Sequence, residues 1–154
     1  MKYFFALSIL VFAFVSCNHQ SKNEESTKPA NYLNETCWHT SQLLCLDFAT
    51  TEYTLTAIPV LPEGKYHYGN FVNFVDSANF ISYYSAPCGN DCFRSVYGKY
   101  NFSKEDEIIF LVDSITYRGE CRRPTFHPSS CIPKIFSISR NDSIISLKAK
   151  KRPS

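Results

Sequence analysis

The stretch Lys134-Ile-Phe-Ser-Ile-Ser-Arg-Asn-Asp-Ser-Ile-Ile-Ser-Leu-Lys148 decides the fold class. Phe136 and Ile138 fall on one side of an extended chain, with Ser137 and Ser139 on the other, the period-two pattern of a half-buried strand. Beyond the turn signal Asn141-Asp142, Ile145 and Leu147 alternate with Ser146 and Lys148 in the same way. The same pattern recurs toward the N-terminus while helical periodicity is weak. Strands are predicted at Thr36–Leu46, Glu52–Ile58, Tyr66–Val75, Asn79–Ala86, Ser95–Phe102, Glu107–Gly119, Lys134–Arg140 and Ser143–Lys148. Phe71, Phe74, Phe80, Tyr83 and Tyr84 supply large cross-strand pairs. About eight strands with mostly short turns predict an all-β antiparallel up-and-down barrel, whose closure leaves no exposed edge.

A single domain suits the chain, which has 154 residues, 44% of them hydrophobic and 16% aromatic. A net charge of +2 lacks the clustered basic surplus of an electrostatic nucleic-acid binder. Asp113-Ser114 would split one run in two if it were a hairpin, giving a meander of nine strands that cannot close antiparallel. It is also poor chemistry for a two-residue turn, so Glu107–Gly119 reads as one long, bent strand. The connections then sort by length. Asp47–Thr51, Asp76–Ala78, Ser103–Asp106 and Asn141–Asp142 fall at one end. Pro59–Lys65, Pro87–Arg94 and Glu120–Pro133 fall at the other, where the first strand also begins. That second rim is the predicted binding face, with Tyr66, Phe93, Arg94, Arg122, Arg123 and Phe126 as contacts.

The N-terminus carries an address. Lys2 precedes an apolar run from Tyr3 to Val15, shorter than the roughly 20 residues that span a bilayer and laid out like a secretory signal. Phe14-Val15-Ser16-Cys17 resembles a bacterial lipobox, although Phe14 stands where Leu is usual. Residues 1–16 are thus expected to be a lipoprotein signal peptide. Residues 17–31 are the lipid-bearing Cys17 and a polar tether reaching at most about 45 Å. The barrel domain is expected over 32–148 and a basic tail over 149–154. More than one acyl chain on Cys17 would anchor the protein stably. The expected location is the bacterial cell envelope, the outer membrane favoured, facing the periplasm or the exterior. Glu24-Glu25 beside Lys22 reads either as a charged surface-export signal or as an ordinary hydrophilic spacer.

With Cys17 assigned to lipid, Cys37, Cys45, Cys88, Cys92, Cys121 and Cys131 remain, an even number in an exported domain, and three disulfides are expected. The rival is Cys88-Gly-Asn-Asp-Cys92, a CxxxC spacing that a thiol redox or copper protein also uses.

Leu33-Asn-Glu-Thr36-Cys-Trp38 resembles the opening motif of bacterial lipocalin-like and META-type barrel lipoproteins. Cys88-Gly-Asn90, Gly98-Lys-Tyr100, the Ile108-Ile109 strand and Thr116 followed by Cys121 are similar to later parts of the META pattern. The resemblance implies an extracytoplasmic, non-enzymatic lipocalin-like barrel without a cofactor.

No window holds G-x-S-x-G, G-x-G-x-x-G or G-K-[ST], and His39, His67 and His127 sit in unrelated contexts, so no catalytic residue and no metal ligand is assigned. Trp38 reads either as a gate to a ligand cavity or, more simply, as a plug at a closed end. Asp76-Ser77-Ala78, Asp113-Ser114-Ile115 and Asp142-Ser143-Ile144 resemble a bacterial O-glycosylation triplet and equally suit turns. The expected function is a membrane-anchored binding module for a small apolar ligand or a protein partner. Its alternatives are an inhibitor of a cell-wall hydrolase and, behind it, the CxxxC redox or copper protein. Metabolic labelling with a fatty-acid analogue is expected to mark the wild-type protein and to miss the Cys17→Ser variant; equal labelling of both refutes the lipid anchor.

Overall fold

The structure, a computed structural model, describes residues 30–47, 49–130 and 132–150, so the expectations for the signal peptide, Cys17, Cys131 and the end of the basic tail lie outside the described residues. Nine strands follow one another: β1 (Thr36–Thr40), β2 (Glu52–Ala57), β3 (Gly69–Phe74), β4 (Asn79–Ser85), β5 (Cys92–Lys104), β6 (Glu107–Gly119), β7 (Arg123–Phe126), β8 (Lys134–Asn141) and β9 (Ile144–Ala149). Eight of them close into an antiparallel barrel, sealed by the β5–β6 pairing, and β7 is an extra strand attached to β6. The predicted all-β barrel is therefore the fold.

Its strand order corrects the simple meander. β1 pairs with both β2 and β3, and β2 pairs with β9. Because β1 lies between them, β2 ends where β1 begins, at what we call the near end, while β3 starts at the far end. The chain between them, with Pro59, Pro62 and Gly64, cannot make a hairpin and runs the length of the barrel on its outside. The outer face of the swapped strands is tied by aromatic contacts. His39 meets Phe71 edge-on at 5.4 Å, and Phe71 stacks on Tyr83 at 5.5 Å.

The long strand is present as expected. β6 spans Glu107–Gly119, and its pairing with β5 slips where Tyr97 faces Ser114 but Gly98 faces Val112, leaving Asp113 as the extra residue of a bulge. Gly98 is needed there, since a Cβ would run into the Leu111 carbonyl and the Phe80 ring. Beyond the bend, β6 changes partners. Its first half pairs with β8 (Glu107–Phe110), its second half with β7 (Ile115 and Tyr117). The last hairpin turns at Asp142-Ser143, one residue later than expected. Asp142 takes a positive φ of 45°, so Asp-Ser does form a tight turn here.

Inward-facing side chains fill the barrel. Phe110 meets Phe80 at 5.2 Å, Phe136 at 5.9 Å, and Phe74 and Tyr100 at 6.4 Å each. Both ends are capped by chain. At the near end Leu33 is fully buried, and Tyr32 packs on Phe102 beneath the Arg140 guanidinium. At the far end residues 41–46, expected to prolong the first strand, instead leave it and turn inward. Leu43, Leu44 and Cys45 are buried there, held by Ser82 Oγ accepting from the Leu44 N–H and Tyr53 Oη accepting from the Cys45 N–H. Trp38 belongs to this core, its indole N–H donating to Thr36 Oγ1, so it plugs rather than gates. Phe110→Ala is expected to lower unfolding free energy by about 3–5 kcal/mol and Gly98→Ala by about 1–3 kcal/mol in denaturant titrations. An unchanged midpoint for Phe110→Ala excludes the packed interior.

Candidate functional site

Register assigns the loops to the two ends. β3–β4, β5–β6 and β8–β9 turn at the near end, as expected for Asp76–Ala78, Ser103–Asp106 and Asn141–Asp142. Pro87–Arg94 and the start of Glu120–Pro133 share the far end, also as expected. Three placements differ. Pro59–Lys65, expected among the long loops of the far end, runs from the near end to the far end along the outside. Because β1 is inserted between β2 and β3, it begins at the near end, and Asp47–Thr51 joins the long loops at the far end.

The far rim is built on the disulfide Cys92–Cys121, with Cα atoms 5.0 Å apart. It ties the first residue of β5 to the turn that follows β6. Closing a loop of this separation contributes on the order of 3 kcal/mol by chain entropy, less whatever the β5–β6 ladder already fixes. Gly119, at φ 72°, makes the turn, because a Cβ there would strike the Asp91 carbonyl. Asp91 is occupied: its carboxylate accepts from Tyr84 Oη at 2.9 Å and from the Cys92 N–H at 2.9 Å. The hydrogen bond to that carboxylate is the main reason the Tyr84 phenol is held above its ordinary pKa.

Four arginines surround this staple. Arg94 faces Tyr117 across the β5–β6 ladder and Arg118 faces Phe93, while Arg122 and Arg123 follow the bridge. Arg123 lies over the Tyr117 ring, 3.5 Å from its centroid, within the range of a cation–π contact. One cleft of about 420 Å³ is lined by Arg94, Tyr117, Glu120, Arg122 and Arg123. A second, of about 440 Å³, shares Tyr117, Arg122 and Arg123 and adds Arg118. A third, of about 580 Å³, runs from Tyr117 and Arg123 over Leu46, Ile115, Pro124 and Phe126. No ion pair among the described residues engages any of the four guanidinium groups.

Of the predicted rim residues, the far end brings together Phe93, Arg94, Arg122, Arg123 and Phe126. Phe93 is half-buried against Tyr84 at 6.1 Å and supports the rim. Tyr66 stands apart, 74% exposed on the connection leading into β3. Sequence reasoning missed Arg118, Tyr117, Ile115 and Leu46. The first three were legible once Arg94 was placed at a rim, because β5–β6 pairing puts their strand opposite. Leu46 was not, because it was assigned to a strand.

The cysteine expectation is corrected. Among the described residues one bridge forms, and Cys37, Cys45 and Cys88 are free. Cys37 sits early in β1 facing outward, and Cys45 is sealed inside the far end, so the swapped strand order places them at opposite ends from those expected. Cys92 being bridged to Cys121, the CxxxC segment offers no dithiol. Burial pushes the Cys45 thiol from 9.0 up to about 12, with the Lys134 ammonium opposing. The Tyr53 phenol beside it is pushed from 10.0 to about 12, first by burial and then by Cys45.

His127 Nδ1 lies 3.2 Å from the Asp113 carbonyl and His39 packs on Phe71, so neither faces the rim clefts. Among the described residues no group of three His, Cys, Asp or Glu side chains is placed to hold a metal ion.

Comparison with known proteins adds no neighbour: no family model matches the chain, and neither does any curated protein or solved structure.

Two outcomes follow from the thiols. Alkylation of native protein is expected at Cys37 and Cys88, at Cys45 only after unfolding, and at Cys92 and Cys121 only after reduction; native labelling of Cys45 contradicts the cap. Between about pH 9 and about 12 the folded state keeps protons on Cys45 and Tyr53 that the unfolded chain releases. The stability they contribute is complete below that window, and unfolding free energy falls as pH rises through it. Cys45→Ala is expected to flatten that fall in urea titrations across the window, and an unaltered slope rejects the assignment.

Proposed function

We propose that the protein is a non-enzymatic, lipid-anchored binding module of the cell envelope whose far rim receives a protein partner. The observation that carries this reading is the filled interior. Phe74, Phe80, Phe110 and Phe136 occupy the barrel axis, and chain covers both ends, so a small apolar ligand has no internal cup to enter. Recognition is left to the surface, where guanidinium groups, a stacked aromatic and an apolar shelf adjoin on a disulfide-stapled turn. Such preorganised loops lose less entropy on binding. The lipocalin-like and META-type resemblance supports the same reading.

Chain direction supports it too. The segment leading from Cys17 joins the barrel at the near end, where Asn31 Nδ2 donates to the Ser77 carbonyl at 3.0 Å and to Tyr100 Oη at 3.0 Å. A tether that joins at the near end leaves the far rim free for other proteins to reach.

A photo-crosslinking amino acid placed at Arg122 in cells is expected to give a discrete adduct, competed by added purified protein, whereas the same group at Asp142 in the near-end turn gives none. Equal adducts at both positions, or none at Arg122, reject the rim as the binding face.

A further inference from the structure

We infer that the far rim recognises an extended acidic polypeptide segment, one that lays carboxylates along Arg94, Arg122 and Arg123 and an apolar side chain on the Ile115–Phe126 shelf. The assignment rests on the rim being a partner-binding face and specifies the partner's chemistry. Three features of the rim converge on it.

The first is charge. Arg94, Arg122 and Arg123 line one cleft with Tyr117, on the ladder face opposite to Arg118, which borders a second cleft that shares Tyr117, Arg122 and Arg123. Of three nearby carboxylates, Asp91 is held by Tyr84 and the Cys92 N–H, Asp47 borders a separate cleft with Arg94 and accepts from the Ala49 N–H, and Glu120 lines the arginine cleft itself. Guanidinium forks pair with carboxylates in a bidentate way, and a local excess of cations favours an anionic partner over a cationic one.

The second is the shelf. The cleft over Leu46, Ile115, Pro124 and Phe126 opens directly from Arg123 and Tyr117, and Phe126 is 49% exposed. A purely anionic glycan or a phosphate has nothing to place there, whereas a peptide alternating acidic and apolar side chains has.

The third is an open strand edge. β7 ends the sheet order, pairs only with β6, and is exposed along its whole length. Its outer edge presents main-chain groups to an added strand, the mode by which sheet edges capture extended peptides. Pro124 removes one donor and the strand has four residues, which limits pairing with further copies of itself. A second copy would also bring arginines against arginines.

The full-length chain in detergent, titrated into a fluorescent peptide that alternates Glu with Leu and Phe, tests the inference. Binding is expected to be about tenfold weaker for the Gln-for-Glu peptide, and to fall as salt is raised. It is expected to be about threefold weaker when Gly replaces Leu and Phe. The double variant Arg122→Glu/Arg123→Glu is expected to lose about tenfold and Phe126→Ser about threefold, while the charge-matched pair Lys99→Glu/Lys104→Glu binds as wild type. Circular dichroism confirms folding of each variant. Equal binding of the Gln peptide, an equal loss in the Lys pair, or capture of a sulfated polysaccharide with the peptide left unbound overturns the inference. If the peptide fails while Arg122 still crosslinks a partner in cells, the acidic-segment assignment falls and the binding reading stands; if both fail, both fall.

Discussion

Phe110 is the contact on which the rest of the structure depends. Its ring touches Phe74, Phe80, Tyr100 and Phe136, which belong to β3, β4, β5 and β8. A single side chain on β6 therefore reports to strands on both sides of the barrel seam. Close packing at crystal-like density leaves little freedom in how these rings meet, and so fixes the barrel's bore. Once the bore is filled with rings, the ends are too narrow to stay open, and short apolar segments seal them: Tyr32-Leu33 at one end and Leu43–Leu46 at the other. The same packing that stabilises the fold removes the interior as a place for function.

The proposed binding surface arises from how β6 ends. β8 covers only Glu107–Phe110 of this strand of 13 residues, and beyond the bulge at Asp113 the rest pairs with β7. β7 returns along that part, and Cys92–Cys121 holds the turn between them. Arg94, Arg118, Arg122 and Arg123 are gathered around the ribbon of β6 and β7 and stay exposed to water. Solvated guanidinium groups without carboxylate partners cost little in the free chain. They gain most when a partner displaces the water, which is why such a cluster is suited to recognition more than to stability.

The chain alone determined the eight barrel strands, their antiparallel sense and the long reach of β6, but not β7, which lies inside a connection read as loop. Those properties follow from local alternation, from turn chemistry such as Asx bonding at Asp76, and from the need for an even number of strands to close an antiparallel barrel, which keeps Glu107–Gly119 whole. Clustering of Arg94, Arg122, Arg123 and Phe126 at one rim was legible for the same reason, since two long connections separated by an even number of strands must share an end. Two things were decided by tertiary structure. The insertion of β1 between β2 and β3 depends on packing of His39, Phe71 and Tyr83, residues far apart in sequence, and on an external connection whose path no local pattern specifies. The inward turn of Leu43–Leu46 depends on Ser82 and Tyr53, which receive its backbone N–H groups only once the barrel exists. Disulfide pairing belongs with them: counting cysteines gives the number that can bridge, but only the closed β5–β6 ladder brings Cys92 and Cys121 within bonding distance while leaving Cys45 enclosed.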